Sequence, residues 1–72
     1  MATITNAPGG VNVRNAASGT APFVASSPWG NGETVARSGG LASDGSYNWQ
    51  YCIRDKDKTQ KGWIRSDFVT GA

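Results

Sequence analysis

The sequence contains no histidine and a single cysteine, Cys52. Without histidine the chain lacks the commonest general base and any Ser-His or Cys-His nucleophile pair. One cysteine cannot form an internal disulfide, and without histidine it cannot complete the usual ligand set of a zinc site. We therefore expect a protein that is not an enzyme, that needs no cofactor or metal, and in which Cys52 is a part-buried structural thiol.

Long apolar runs and strong charge are also missing. No stretch approaches the roughly 20 apolar residues of a membrane-spanning helix, and the N-terminus lacks the pattern of a signal peptide. Seven Lys and Arg against five Asp and Glu give a net charge of +2. This charge is too small and too scattered for a dedicated nucleic-acid binder. The densest charged run, residues 54–58, alternates in sign and largely cancels itself.

Two short motifs carry weak chemical signals. Asp55 and Asp57 suggest a calcium loop, but the run lacks the glycine and the terminal glutamate of an EF-hand. Residues 30–32 (Gly-Asn-Gly) lack the Lys-Ser/Thr and the helix of a phosphate-binding loop. We interpret the first motif as a solvated hairpin tip and reject the second as a phosphate site.

Ten glycines and three prolines in 72 residues predict many turns. Apolar residues never recur at helical spacing for three turns. Short β-branched or aromatic runs between turn clusters therefore predict an all-β fold of five to seven short strands. Ile4 and Val35 are expected to point into the core, and Asp44-Gly45 marks a turn. The predicted strands cover residues 2–5, 11–15, 23–25, 33–37, 47–54 and 60–65.

The predicted loops cover residues 6–10, 16–22, 26–32, 38–46 and 55–59. Ser66 is a natural cap for a single 3₁₀ turn, after which Phe68 and Val69 are expected to be buried. Alternation along residues 47–54 places two sets of side chains on opposite faces: Trp49, Tyr51 and Ile53 on one, and Gln50, Cys52 and Arg54 on the other. Arg14, Arg54 and Arg65 are expected on a solvated sheet face.

Seventy-two residues allow one domain, residues 1–72, with a small core. We expect this domain to be a module excised from a larger protein. Residues 11–14 and 61–69 share an alternating pattern, and we expect these two segments to close a small barrel.

Three segments together resemble the bacterial SH3-like (SH3b) domains, which are accessory modules of cell-wall hydrolases and surface proteins. Residues 11–14 (Val-Asn-Val-Arg) look like the family's Leu-Asn-Val-Arg strand, and residues 32–35 (Gly-Glu-Thr-Val) are similar to its Gly-x-x-Val motif. Residues 62–69 resemble its closing Gly-Trp-Val…Ser…Tyr-Leu/Val, and Trp49 stands where the family usually has a tryptophan. The resemblance covers about residues 10–70 and implies an SH3-like barrel with a 3₁₀ turn near the C-terminus.

The chain also departs from the family pattern. Residues 15–19 replace the usual Ser-Gly-Pro, and residues 26–29 and 38–46 look longer than usual. Residues 49–52 (Trp-Gln-Tyr-Cys) stand where Trp-Tyr-x-Val is common. These departures fall in loops and near the expected groove, so they concern the identity of the ligand more than the fold.

The resemblance implies a non-catalytic module that binds the peptide stem or cross-bridge of peptidoglycan and targets an attached domain to the bacterial envelope. It also implies an extracellular or cell-envelope location. We further expect a monomer that binds no nucleic acid and does not insert into membranes. The alternative is a protein-protein or intramolecular spacer module, which packs against a neighbouring domain and has no wall ligand. A small-barrel nucleic-acid binder and a proline-rich peptide binder rank lower.

Seven aromatic residues are more than so small an interior holds. Aromatic rings bind extended peptide or sugar through flat apolar contacts, with an indole N–H or a phenol O–H giving direction. Trp29 lies beside Pro28 in a loop and is expected at the surface. Trp49 and Trp63 could instead cover a shallow core, and for the Asn12 side chain a hydrogen bond to a local turn is the favoured alternative. The candidate ligand-binding residues are Trp29, Tyr47, Trp49, Tyr51, Trp63 and Asn12.

Overall fold

A computed structural model describes residues 1–71 and shows an all-β chain, as predicted. Five strands form one open antiparallel sheet in the order β4-β3-β2-β1-β5. No helix within residues 1–71 is long and apolar enough to cross a membrane. The elements are β1 (Ala2–Ile4), β2 (Thr34–Ser43), β3 (Asn48–Arg54), β4 (Lys61–Arg65), a 3₁₀ turn (Ser66–Phe68) and β5 (Val69–Gly71).

The predicted strands at residues 11–15 and 23–25 are wrong. These segments make only isolated bridges, one between Val11 and Trp29 and others that join Arg14 to Phe23 and to Trp63. A turn interrupts the ladder between the first two bridges, because the N–H of Ser27 donates to the carbonyl of Val24 at 3.0 Å. Residues 11–14, which we call the N-terminal arm, therefore lie outside the sheet that β1 to β5 form.

The predicted loop at residues 38–46 is wrong over its first part, because β2 continues to Ser43. The β2–β3 register shifts between Arg37 and Leu41, where Gly39 adopts a φ of +72°. A glycine takes this conformation without strain, so the strand bends there and then resumes its pairing. The predicted Asp44-Gly45 turn is confirmed, and it joins β2 to β3.

The 3₁₀ turn lies where the sequence predicts it, but Ser66 is not its cap. Ser66 is the first residue of the turn, Arg65 holds the cap position, and no side chain bonds the turn's free N–H groups. Val69 is buried and Phe68 is half-buried against the core.

The core is apolar and built from small side chains around one large ring. Ile4, Val35 and Cys52 are buried, as predicted. Trp29 is 0% exposed, so its predicted surface position is wrong. Two backbone hydrogen bonds to Val11 fix the Trp29 backbone, and its indole N–H donates to Ser26 Oγ at 2.9 Å, so the ring is satisfied inside. The core comprises Ala2, Ile4, Ala7, Val11, Val13, Trp29, Val35, Cys52, Ile64 and Val69.

Arg54 is buried at the edge of this core, and its predicted position on a solvated face is wrong. Its Nη2 and Nε donate to the two carboxylate oxygens of Glu33 at 2.6 and 2.8 Å, and Nη1 donates to Gln60 at 2.9 Å. The guanidinium also lies 5.4 Å from the centre of the Trp29 ring. This bidentate pair satisfies a charge that burial would otherwise make costly.

The arm is fastened to the free edge of β4 by one pair of backbone hydrogen bonds. The N–H of Arg14 donates to the carbonyl of Trp63 at 2.8 Å, and the N–H of Trp63 donates back to Arg14 at 2.7 Å. Gly62 makes this approach possible, because a Cβ there would lie 2.6 Å from Val13 Cγ1 and 2.9 Å from the Arg14 carbonyl. Residues 11–14 and 61–69 are thus neighbours, as the sequence predicts.

Gly62→Ala is expected to push the arm from β4 and lower the free energy of unfolding by about 1–3 kcal/mol, the usual cost of overpacking. Urea denaturation measures this loss, and the amide resonance of Trp63 reports the broken pair. Gly9→Ala is the matched control, because a Cβ at Gly9 meets nothing within 4 Å. Equal stability of the two variants would contradict the tight approach at Gly62.

The ion pair between Glu33 and Arg54 predicts acid sensitivity. The hydrogen bonds from Arg54 lower the pKa of Glu33 from its ordinary 4.5 to about 2. Because the folded-state pKa is depressed, this stabilisation is complete above pH 4.5 and is lost as the pH falls towards 2. Wild-type protein should therefore lose stability in this window. Glu33→Gln should be less stable than wild type at neutral pH by about 1–3 kcal/mol. Its free energy of unfolding should also change less as the pH falls.

Urea denaturation at several pH values from neutral to acid measures both effects. Asp67→Asn is the control, since it removes a carboxylate from an exposed ion pair, and such pairs contribute little to stability. The same acid profile in Glu33→Gln as in wild type would show that Glu33 does not carry the effect.

Candidate ligand-binding site

The outer face of β3 and β4 carries aromatic and cationic side chains that the core does not use. Directly paired residues of an antiparallel ladder point to the same side of a sheet. Tyr51 therefore lies beside Trp63, and Trp49 lies beside Arg65. The bridge between Arg14 and Trp63 continues this face onto the N-terminal arm. The face is thus assembled from three parts of the chain.

A groove of about 340 Å³ opens on this face, between the arm and the 3₁₀ turn. We call it the Trp49 groove. Residues 6–11 form one wall. The remaining lining comes from the residues Asn12, Arg14, Trp49, Arg65 and Phe68.

Trp49 is a buried residue that also lines the groove. Its side chain is 3% exposed, yet it is not a member of the core cluster. Its indole N–H donates to Oδ2 of Asp44 at 3.0 Å. The ring is therefore held in one orientation by a carboxylate on the β2–β3 turn.

Asp44 is the anchor of this part of the site. Its Oδ1 accepts hydrogen bonds from the backbone N–H groups of Tyr47 and Ser46, each at 2.8 Å, and its Oδ2 accepts one from Gly19 at 3.1 Å. These donors hold the pKa of Asp44 far below its usual range, and the N–H of Tyr47 has the largest effect. The carboxylate is therefore charged at any physiological pH, and it fixes Trp49, the β2–β3 turn and the loop around Gly19 together.

The opposite wall of the groove is a turn with unusual backbone angles. Asn6 and Gly10 have φ values of +58° and +90°. The N–H of Gly10 donates to the carbonyl of Ala7 at 2.8 Å, and the N–H of Ala7 donates to Oδ1 of Asn31 at 3.1 Å. These bonds hold the turn in one conformation and fasten it to the loop that carries Asn31.

Asn12 lies where this wall meets the arm. Its neighbours Val11 and Val13 are buried, so alternation turns the Asn12 side chain outward to an exposed position. The Asn12 amide makes no hydrogen bond to any of residues 1–71, so the alternative that it serves a turn is wrong for the described chain. Its donor and acceptor are available to a ligand.

Two arginines line the groove, each packed on an aromatic ring. The Arg14 guanidinium lies 4.6 Å from the centre of the Phe23 ring, and its Nη1 donates to the carbonyl of Ala21 at 2.8 Å. The predicted simple solvated position is therefore wrong for Arg14. Such cation–π contacts hold a long side chain in place and contribute about 0.5–1 kcal/mol at exposed sites.

Arg65 lies on the outer sheet face, as predicted, with one third of its side chain exposed, but it is held more tightly than a freely solvated side chain. Its guanidinium lies 3.9 Å from the ring centre of Tyr47 and 5.1 Å from that of Phe68. Its Nη2 donates to Oδ2 of Asp67 at 2.8 Å. The sequence contained a sign of this position, because a residue two places after Trp63 on a strand lies on the same face of the sheet as Trp63.

The structure brings some of the predicted site residues together at the groove and places one of them, Trp29, in the core. Trp49 and Asn12 both line the groove, and Tyr47 borders it through Arg65. Tyr51 and Trp63 lie beside it on the same face, half-buried, with ring centres 5.2 Å apart at 61°. Trp29 lies in the core, because its backbone pairs with Val11. Sequence reasoning missed Arg14, Arg65, Phe68 and the wall at residues 6–11.

The groups with possible reactivity are engaged elsewhere in the fold. Burial raises the pKa of the Cys52 thiol to about 11, so it carries no thiolate at neutral pH. The hydrogen bond from Lys58 is the main cause that lowers the pKa of Asp55, and the hydrogen bond from Thr59 is the main cause that lowers the pKa of Asp57. Within residues 1–71 no three side chains of the metal-binding types come together.

Comparison of the chain with protein-family models, with curated proteins and with solved structures finds no match. The interpretation of the site therefore depends on its own geometry.

Asp44→Ala is expected to release the indole of Trp49 and loosen the groove. The Nε1–H resonance of Trp49 should broaden or move in a ¹H–¹⁵N spectrum, because it loses its acceptor. Asp55→Ala is the control, since Asp55 is a comparable turn carboxylate on the other hairpin, where it bonds Lys58 and Thr34. An unchanged Trp49 resonance in Asp44→Ala would show that Asp44 does not fix the ring.

Proposed function

We propose that the chain is an SH3-like barrel that serves as a non-catalytic binding module for the peptide part of bacterial peptidoglycan. The barrel is supported by the pairing of Arg14 with Trp63, which joins the N-terminal arm to the outer edge of β4. It is also supported by the 3₁₀ turn between β4 and β5, at the position that the SH3b resemblance implies. The sheet of named strands is open, and the arm covers one of its edges.

The observation that carries the proposed function is the rigid Trp49 groove. Its floor ring is fixed by Asp44, its wall by the turn at residues 6–10, and its arginines by aromatic stacking. A site that is ordered before binding loses little conformational entropy when a ligand enters. Rigid, open grooves with a few polar groups suit an extended polymer better than a small enclosed substrate.

The groove offers the contacts that an extended peptide needs. The half-buried ring of Phe68 provides apolar surface, the nearly buried ring of Trp49 forms the floor, and the free amide of Asn12 can pair with a peptide N–H or carbonyl. The affinity of one such groove is expected to be modest. Attachment to a neighbouring domain makes modest affinity sufficient, because tethering raises the effective concentration at the wall. On this proposal the protein works outside the cell or in the envelope, as a monomer within a larger chain.

Co-sedimentation with purified peptidoglycan sacculi tests the proposal. Wild-type protein should pellet at both low and high salt, because apolar contacts and partly buried polar contacts in the groove are screened less than attraction between exposed charges. Asn12→Ala should weaken binding about threefold to tenfold, the value of one hydrogen bond. Asn48→Ala is the matched control, since Asn48 is an exposed asparagine on β3 outside the groove lining.

Three other results of the co-sedimentation experiment would contradict the proposal. Pelleting that disappears at high salt would indicate charge attraction alone. Equal binding by Asn12→Ala and Asn48→Ala would place the ligand outside the groove. No pelleting with sacculi from any bacterium would favour the spacer or protein-interaction module, which should instead gain stability from its neighbouring domain.

A further inference from the structure

We infer that the Trp49 groove selects ligands that carry a free carboxylate, and that Arg65, with Arg14 beside it in the lining, binds this group. This inference rests on the proposed function and names the chemical group that the groove recognises.

The charge of the groove is one-sided. Arg14 and Arg65 both line it, and none of the described residues that line it is acidic. The nearest carboxylate that the structure assigns to either arginine is that of Asp67, which pairs with Nη2 of Arg65. A groove that presents two cations and no anion favours an anionic ligand group and disfavours a cationic one.

Arg65 is only partly satisfied by the protein. Its Nε is buried and has no hydrogen-bond partner within residues 1–71. Only Nη2, through Asp67, is engaged by the described chain, and one third of the side chain remains exposed. The side chain therefore keeps unused hydrogen-bonding capacity, which an acceptor at its exposed part can engage.

Both arginines are held in position before a ligand arrives. Arg65 lies between the rings of Tyr47 and Phe68, and Arg14 lies on Phe23 with one N–H bonded to Ala21. A planar guanidinium presents parallel N–H groups that match the two oxygens of a carboxylate. Stacking fixes the plane of each fork, so little side-chain entropy is lost on binding.

A carboxylate fits this place better than a phosphate does. Asp67 already neutralises one side of Arg65 at 2.8 Å. A phosphate with about two negative charges would lie near that carboxylate and be repelled by it. A ligand carboxylate carries one charge in the planar shape of the fork, so Arg65 can hold it together with Asp67.

The first experiment uses the wild-type protein and two forms of one probe. A synthetic peptidoglycan stem peptide with free carboxylates and the same peptide with all carboxylates amidated are titrated into the ¹⁵N-labelled chain. The resonances of Trp49 Nε1–H and of the arginine side chains report binding in the groove. The amidated peptide should bind about tenfold more weakly, because it loses charge-assisted hydrogen bonds.

The outcomes of this titration separate the two claims. Equal binding of both forms would overturn the carboxylate inference and leave the peptide-binding function intact. Absence of binding by either form would overturn both. Because no variant is needed, the comparison does not depend on the folding of a mutant.

A second experiment assigns the effect to Arg65. Arg65→Gln should remove most of the preference for the free-acid peptide over the amide. Lys61→Gln is the matched control, because Lys61 is an exposed cation on the same strand, outside the groove lining, and its loss changes the net charge equally. An equal loss of preference in both variants would show a general charge effect and overturn the role of Arg65.

Competition distinguishes the carboxylate from other anions. Acetate and inorganic phosphate are compared as competitors of the free-acid peptide at matched ionic strength. Acetate is expected to displace the peptide at a lower concentration than phosphate does. Equal or stronger competition by phosphate would overturn the selectivity for a carboxylate.

Discussion

The rest of the structure depends on the pair of backbone hydrogen bonds between Arg14 and Trp63. The arm at residues 11–14 belongs to no strand, and this pair fastens it to β4. Alternation along the arm then sends Val13 into the core and leaves Asn12 and Arg14 for the groove. The pair exists because Gly62 has no side chain at the point of closest approach. One small residue thus determines both how the core is covered and where the groove opens.

The core and the groove are built around different tryptophans, Trp29 and Trp49, and Phe68 contacts both regions. Trp29 fills the interior, where Ser26 satisfies its indole and the Glu33–Arg54 pair closes the edge beside it. A domain of this size buries only about 60% of its unfolded surface, so the loss of one large core ring would be severe. Trp49, by contrast, is fixed from outside the core by Asp44. The orientation of Trp49 therefore depends on a polar contact that the Trp29 core does not use.

The local alternation of apolar and polar residues predicted the all-β class of fold and many of the side chains on the outer face of the sheet. Alternation placed Ile4 and Val35 inside and put Trp49 with Tyr51 on one face of β3. It failed where a distant partner decides the outcome. Trp29 stands between a proline and a glycine, and only its pairing with Val11 turns it inward. Arg54 is buried because Glu33, 21 residues earlier, neutralises it, and no local pattern reveals that partner.

The candidate site shows the same division between local and distant information. Asn12 and Trp49 could be chosen from the sequence because their positions follow from strand alternation and from the surplus of aromatic residues. For Arg65 the spacing from Trp63 indicated only the face, because its fixed position depends on two rings that reach it from the β2–β3 turn and from the 3₁₀ turn. Its stacking converts a flexible surface charge into a fixed one, and fixed charges contribute more to selectivity than mobile ones. The identity of the ligand is therefore expected to depend on how rigidly the groove holds its few polar groups.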